Sequence, residues 1–362
     1  MLDLLKTIVE YESPSLDKNA TDALSDYLGS KFEEIGCKVS YLDNNSYGKH
    51  ALVEWGKGPS TILVLCHIDT VCSIGEIKKR PFKVEKNLAY GPGSTDMKGG
   101  IVQGYFAFKK AIESGLPDKK IIFLLNTDEE VGSPSSKPHI EKYAKQAEKV
   151  FVLEPPVGPA GAIKTSRKGV GIFNLKIKGK SAHAGAEPEK GVSALQELAH
   201  QIHKLHNLND YSKGTTVNVG VAGGGTRSNV VAEWAWAEVE ARIAIAGETD
   251  KIINAIKNLE PNLPGINLTV EGGLNRPPME RTEGIAKLYQ HAKNIASQEL
   301  GFELPETTTG GASDGNFTAA LGVPTLDGLG SAGEGGHSDN EFIYLEHLAN
   351  RTALLTRLFE TL

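Results

Sequence analysis

Three short apolar runs, residues 61–66, 121–125 and 150–153, each end in groups able to do chemistry: His67-Ile68-Asp69, Asn126-Thr127-Asp128-Glu129-Glu130 and Glu154-Pro155-Pro156. Such runs read as buried strands, and ligand sites in α/β sheets form at the C-terminal ends of strands. Taken singly, each ending has an ordinary explanation. His67 is then a solvated imidazole beside a capping acid, and 128–130 an acidic helix start favoured by the helix dipole. Neither explanation accounts for three strands delivering imidazole or carboxylate groups to one edge. Two glycine-rich loops add to the set: Gly91-Pro92-Gly93-Ser94-Thr95-Asp96-Met97-Lys98-Gly99-Gly100, before a helical stretch, and Gly333-Glu334-Gly335-Gly336-His337-Ser338-Asp339-Asn340-Glu341. His67, Asp96, Glu130, Glu154 and His337 are donors that suit zinc without any thiolate. One zinc needs four groups, whereas five with a shared carboxylate hold two. Two Zn²⁺ against three carboxylates and a bridging hydroxide sum to zero with neutral imidazoles, so the site can be buried. Without cations the carboxylates repel one another.

Rival chemistries fit less well. The 91–100 turn lacks the G-x-G-x-x-G spacing and a preceding apolar strand, and Gly179-Lys180-Ser181 has Asn174 where a P-loop needs its first glycine. Gly311-Ala312-Ser313-Asp314-Gly315 satisfies the serine-hydrolase elbow, with Asp339 and His347 following in order. That elbow needs a strand directly before it, and residues 306–310 have no hydrophobic strand character. A non-enzymatic scaffold predicts lost ligands, yet all five are present. His200, His203 and His206 repeat every three residues and read as the solvated face of a helix. Cys37, Cys66 and Cys72 have no CxxC spacing, which excludes a disulfide framework and a thiolate zinc knuckle.

The elements that must position these groups follow from periodicity. Helix-like spacing of Leu24, Tyr27, Leu28, Phe32 and Ile35 ends at Gly36, and alternation over 38–42 reads as a strand. Buried strands alternate with helical stretches at 101–113 and 139–147, which implies a helix-covered sheet. The pattern changes after Lys168. Residues 170–178 and 234–245 alternate as half-exposed strands do, while 192–206 and 250–259 are helix-like, giving an inserted sheet with helices on one face. After Arg276-Pro277-Pro278, a helix at 284–297, an apolar stretch at 323–326 and a terminal helix at 345–359 return to the first pattern. The expectation is an α/β fold: a larger domain of 1–168 and 277–362 with a helix-covered mixed sheet, interrupted by a smaller α+β domain of 169–276. At 362 residues the chain exceeds what one core usually serves. With 39 Lys+Arg against 45 Asp+Glu and no basic run, nucleic acid is not an expected partner. Its apolar runs fall well short of the ~18 residues a membrane helix needs, and Met1-Leu2-Asp3-Leu4-Leu5-Lys6 lacks secretory character, so a cytoplasmic location is expected.

In their order, His67-x-Asp69, the Gly93-x-x-Asp96-Met-Lys-Gly-Gly turn, Asp128-Glu129-Glu130, Glu154-Pro155, Ser181-Ala182-His183-Ala184-Gly185 and His337 resemble the M20 family of dizinc aminoacylases and exopeptidases. Tyr90-Gly-Pro-Gly, Asn126-Thr-Asp-Glu-Glu and His183-Ala-Gly-Ala-Glu-Pro-Glu-Lys-Gly-Val are most similar to its glutamate carboxypeptidase branch. The resemblance implies two Zn²⁺ per chain, with Co²⁺ able to substitute. Asp96 would bridge them, with His67 and Glu154 completing one site and Glu130 and His337 the other. Asp69 would orient His67 through a carboxylate–imidazole hydrogen bond. Glu129 would be the general base, taking a proton from the metal-bridging water as that water attacks an amide carbonyl and returning it to the leaving amine. His183 would cross a homodimer built on the inserted lid domain to stabilise the oxyanion. Arg167, Asn229, Arg242, Arg276 and Gly311 would contact a small peptide or N-acyl amino-acid substrate, although each arginine reads equally as a surface ion pair. Glutamate carboxypeptidase, dipeptidase and N-acyl amino-acid deacylase activities share this chemistry and differ in pocket contacts.

Overall fold

The structure, a computed structural model, describes residues 1–116 and 118–362. Its strands, in chain order, are β1 (Lys38–Leu42), β2 (His50–Trp55), β3 (Thr61–His67), β4 (Lys83–Glu85), β5 (Leu88–Tyr90), β6 (Lys120–Asn126), β7 (Lys149–Val152), β8 (Ile163–Arg167), β9 (Gly169–Lys178), β10 (Thr216–Gly224), β11 (Trp234–Ile243), β12 (Asn267–Arg276), β13 (Glu306–Thr309), β14 (Thr325–Asp327), β15 (Gly333–Glu334) and β16 (Phe342–Tyr344). The chain divides into two compact units. One comprises Met1–Ser166, Arg281–Thr309 and Ser313–Leu362, the other Arg167–Glu280 and Gly310–Ala312.

In the first unit a mixed sheet runs β1-β2-β6-β3-β7-β14-β8-β13. Its centre is parallel: β3 pairs in parallel with both β6 and β7, and β14 with β7. Parallel strands bury both faces, which is why their sequences are continuously apolar. Leu63, Leu65, Ile122, Leu124, Val150 and Val152 pack on one face with Ile140, Tyr143 and Ala144 of the helix Lys137–Ala144 and with Phe317. On the other, Phe123 meets Phe32, Phe108 and Phe359, and Phe151 also meets Phe359, at ring separations of 5.0 to 6.0 Å. Those rings belong to helices Lys18–Glu34, Gly99–Glu113 and Leu345–Thr361 and to the sheet itself. The parallel register therefore brings the ends of β6, β3 and β7 side by side, with His67 opposite Asn126.

Two glycines let the loops close on this edge. A Cβ at Gly100 or Gly330 would lie 2.0 Å from the carbonyl oxygen of Leu153, an approach only glycine permits. A second small sheet, β15-β16-β5-β4, ties residues 83–90 to 333–344 and fixes both ends of the loop that carries His337.

The other unit is an antiparallel sheet, β10-β11-β9-β12. Phe173, Leu175, Ile177, Ala237, Val239 and Ala241 face a core shared with Leu198, Leu205, Ile252 and Ile256 of helices Ala194–His206 and Thr249–Lys257. Alternate residues, among them Trp234, Trp236, Lys176 and Lys178, are exposed. An α/β fold with a helix-covered mixed sheet and a separate helix-backed sheet is thus what the chain adopts.

The structure corrects one local expectation. Residues 306–309, too polar to read as a strand, form β13 at the sheet edge. Glu306 there accepts from Thr165 and Arg281, and Ile163 N–H donates to Pro305 O, so pairing rather than burial holds the strand. Among the described residues no helix is long and apolar enough to cross a membrane.

The aromatic cluster sets a stability prediction. Phe359 is fully buried, so Phe359→Ala should cost about 3–5 kcal/mol, read as a lowered urea midpoint. Tyr211→Ala, at an 80% exposed position, should shift stability by no more than about 0.5 kcal/mol.

Candidate active site

The end of β3 places His67 almost wholly buried. Its Nε2 lies 3.0 Å from Asp96 Oδ1 and 3.5 Å from Glu154 Oε1. The other carboxylate oxygen of Asp96, Oδ2, lies 3.3 Å from Nε2 of His337, which is also 3.1 Å from Glu130 Oε2. Asp96 thus turns one oxygen to each imidazole, and the five groups form two sets sharing that residue. Glu129 Oε also falls within donor reach of His67 and Glu154. Adjacent in sequence, Glu129 and Glu130 face different sets because the chain turns through a short 3₁₀ segment, Glu129–Val131, directly after β6.

Asp69 occupies the middle of this arrangement, fully buried. His67 Nδ1 is 3.0 Å from the Asp69 main-chain oxygen and 3.5 Å from its carboxylate. An Nδ1–H donating there leaves the lone pair of Nε2, on the side of Asp96 and Glu154, available to a cation. The Asp69 carboxylate itself accepts from the backbone N–H of Glu129 at 3.2 Å, from that of Glu130 at 3.1 Å and from the Ser15 hydroxyl at 2.7 Å. Orientation of His67, expected of the Asp69 side chain, is shared with its main chain, and the side chain also holds the Glu129–Glu130 turn.

Electrostatics show what the cluster lacks. Burial opposes a charge on His67, but hydrogen bonds to Asp69, Asp96 and Glu154 outweigh it and raise the imidazole well above its ordinary range. Hydrogen bonds to Asp96 and Glu130 push His337 up to about 11. Burial pushes Glu130 up, and burial of Asp96 is overcome by the two histidines, which hold its carboxyl far below normal. The carboxylates therefore draw positive charge to two places, one at each imidazole. Hard oxygen donors with two imidazoles, arranged as two sets about one shared carboxylate, fit a pair of divalent cations. Among the described residues, both donor groups compact enough to hold a cation, His67–Asp96–Glu130 and His67–Glu129–Glu154, lie here.

Other sequence candidates sit in the second unit. His183 is exposed, bridged to Val230, and its Nδ1 accepts from Gly185 N–H at 3.1 Å and Ala186 N–H at 3.0 Å. Two donors at Nδ1 place the ring proton on Nε2, which is left as an outward donor. Asn229 is exposed beside it, its main-chain oxygen accepting from Ala184 N–H. Arg167 is buried and donates to Gly311 O. Arg242 donates to Gly310 O and makes a 2.8 Å ion pair with Glu240, and Arg276 is buried and donates to Asn275. For Arg242 the ion-pair reading is therefore realised.

Sequence reasoning missed three neighbours. Ser15 supports Asp69. Buried Lys164 lies 3.7 Å from Glu154. Glu341 accepts from three backbone N–H groups of the Asp96 turn. Burial pushes Glu341 up to about 7 against the pull of those bonds. The serine-hydrolase constellation is not assembled. Ser313 is fully buried with its hydroxyl given to Asp327, Asp339 lies near Arg80, and His347 pairs with Glu346.

Fold and donor set together define a metallohydrolase. The chain matches Peptidase family M20/M25/M40 over residues 63–361 and belongs to that family, so it is a metallo-exopeptidase or related amide hydrolase. Carboxypeptidase G2 of Pseudomonas sp. (strain RS-16) is 30% identical over 369 aligned positions, covering 99% of this chain and 88% of its own. Aminopeptidase PepT from Bacillus cereus has the same fold at a TM-score of 0.80 and 25% identity, covering 99% of this chain and 97% of its own. The YXEP protein of Bacillus subtilis, described as a dinuclear metal-binding peptidase from the M20 family, superposes at a TM-score of 0.70 over 99% of this chain and 96% of its own. At 15% identity that likeness speaks for the fold alone.

Asp96→Ala should abolish tight binding of both cations, measured by metal analysis after gel filtration; retention of two would remove the bridging assignment. Because the cation-free chain holds a proton on His337, cation binding must displace it. Affinity should therefore rise with pH, about tenfold per unit for each proton displaced, in competition titrations between pH 6 and 8.

Proposed function

We propose that this chain is a dinuclear zinc carboxypeptidase of the glutamate carboxypeptidase type, hydrolysing an amide bond next to a C-terminal amino acid. The observation that carries this reading is the paired geometry around Asp96, with Glu129 set beside it yet outside the His337 set. The likeness to carboxypeptidase G2 along nearly the whole chain supports the choice of a C-terminal residue, and the choice of glutamate rests on the motif resemblance of residues 90–93, 126–130 and 183–192.

His67, Glu154 and Asp96 would hold one cation and His337, Glu130 and Asp96 the other; when bound, such a pair acidifies water and polarises the scissile carbonyl. Glu129 then accepts the proton of the attacking water and delivers it to the amine nitrogen as the C–N bond breaks. Asp69 keeps Glu129 and Glu130 in register through their amides. His183, with its proton fixed on Nε2, donates to the oxygen that gains negative charge in the tetrahedral state. We assign His183 to the site of a second copy, in a homodimer formed through the inserted unit. Arg167, Arg242, Arg276 and Asn229 are the proposed contacts to the substrate's carboxylate and main chain, with Gly311 approaching it through its backbone.

A panel of N-acylated amino acids varied at the C-terminal residue, assayed with added Zn²⁺ or Co²⁺, should show preference for glutamate. Hydrolysis confined to dipeptides with a free amino terminus would overturn the carboxypeptidase assignment. Glu129→Gln should keep both cations and lose most turnover, whereas Glu130→Gln should weaken one cation; the reverse pattern would exchange their roles.

His183→Ala and Glu129→Gln chains should each be nearly inactive. If His183 serves the partner's site, their heterodimer contains one site with both groups and should recover up to about half of wild-type activity. No recovery, in mixtures shown by mass spectrometry to contain heterodimers, counts against the shared site.

A further inference from the structure

The loop that carries His337 is attached to the turn that carries Asp96 by one buried side chain. Glu341, 3% exposed, accepts from Gly93 N–H through Oε2 at 2.7 Å. Through Oε1 it accepts from Thr95 N–H at 2.8 Å and Asp96 N–H at 3.0 Å. Its own main-chain oxygen accepts from Gly91 N–H, and the next residue's carbonyl, Phe342 O, accepts from the Thr95 hydroxyl at 2.6 Å. Arg80 holds the same loop directly after His337, donating to Ser338 O at 2.7 Å. Just before these anchors the backbone turns through left-handed conformations at Gly335 and at His337 itself, with φ of +77° and +62°. A non-glycine residue rarely adopts such a φ unless its surroundings impose it.

We propose that Glu341 is a positioning residue for the dinuclear centre: by holding the Asp96 backbone it sets the two Asp96 oxygens toward His67 and His337 together. The proposal rests on the reading of Asp96 as the shared ligand. Its logic is geometric. Asp96 must satisfy two imidazoles 3.0 and 3.3 Å away with opposite oxygens, so a small rotation of its backbone that favours one set disfavours the other. A carboxylate that takes the amide of Asp96 and two preceding amides removes that freedom. It is also covalently four residues from His337, so the distance between the two ligands is set by one short segment. Loss of a hydrogen-bonding partner of a metal ligand commonly lowers metal affinity about 10–100-fold.

The test is Co²⁺ titration of the metal-free full-length protein, followed by the visible cobalt spectrum and by competition with a chelator. Unfolding midpoints of the metal-free chains are measured in parallel. Wild type should take two Co²⁺. E341A should weaken both binding steps about 10–100-fold and alter the spectrum, whereas Glu130→Gln should weaken one step. E341Q should fall between wild type and E341A, since its carbonyl oxygen still accepts from Thr95 and Asp96 while its amide faces Gly93 N–H. A merely structural role predicts a lowered midpoint with both affinities and the spectrum unchanged, and that result overturns the proposal. Should E341A not fold, E341Q decides: wild-type affinity and spectrum in that variant overturn it equally. Failure of wild type to bind two Co²⁺ would instead sink the dinuclear reading itself.

Discussion

Five carboxylates, those of Asp69, Asp96, Glu129, Glu130 and Glu154, crowd around one buried imidazole at the ends of three neighbouring strands. Like charges in a region of low dielectric repel strongly unless each is compensated. The local architecture answers this constraint in two ways. Backbone N–H groups and a hydroxyl compensate one of the acids, Asp69, which takes two amides and the Ser15 hydroxyl. The others draw positive charge, and they raise both imidazoles above their ordinary range. The appetite for cations is thus built into the scaffold before any metal arrives.

The same constraint explains why the acids are spread over separate segments. A single loop carrying three carboxylates would relax by swinging them apart into water. Here each is fixed by a different element: Glu154 by β7, Glu130 by the turn after β6, and Asp96 by a loop pinned through Glu341. Two adjacent glutamates then divide the work, because the turn that Asp69 holds points one to His337 and leaves the other beside His67 and Glu154.

Much of this was legible in the sequence, for identifiable reasons. Strands buried on both faces have uninterrupted apolar sequences, so the polar residues that end them at 67, 128–130 and 154 stand out. Glycine-rich turns around Asp96 and His337 mark close backbone approaches, as at Gly100 and Gly330. Part of what escaped notice acts through backbone amides. An acid that accepts N–H bonds, such as Glu341, or the second role of Asp69, leaves no trace in residue type or spacing, because any sequence supplies the donors. β13 was hidden for a related reason, its stability coming from edge pairing rather than apolar alternation.

The loop between β15 and β16 carries His337, the last of the five proposed ligands in chain order, and roughly half the chain separates it from Glu154. During synthesis the other four donors leave the ribosome well before it. Until then no nascent chain possesses both cation sets, however well its first strands have folded. On that assignment, a metal captured early would meet the groups around His67, those of Asp96, Glu129, Glu130 and Glu154, without His337. On the proposed assignment the second set is complete only when the closing loop has been translated and hooked onto the Asp96 turn, which would make completion of the centre a report that the polypeptide has been threaded past residue 341.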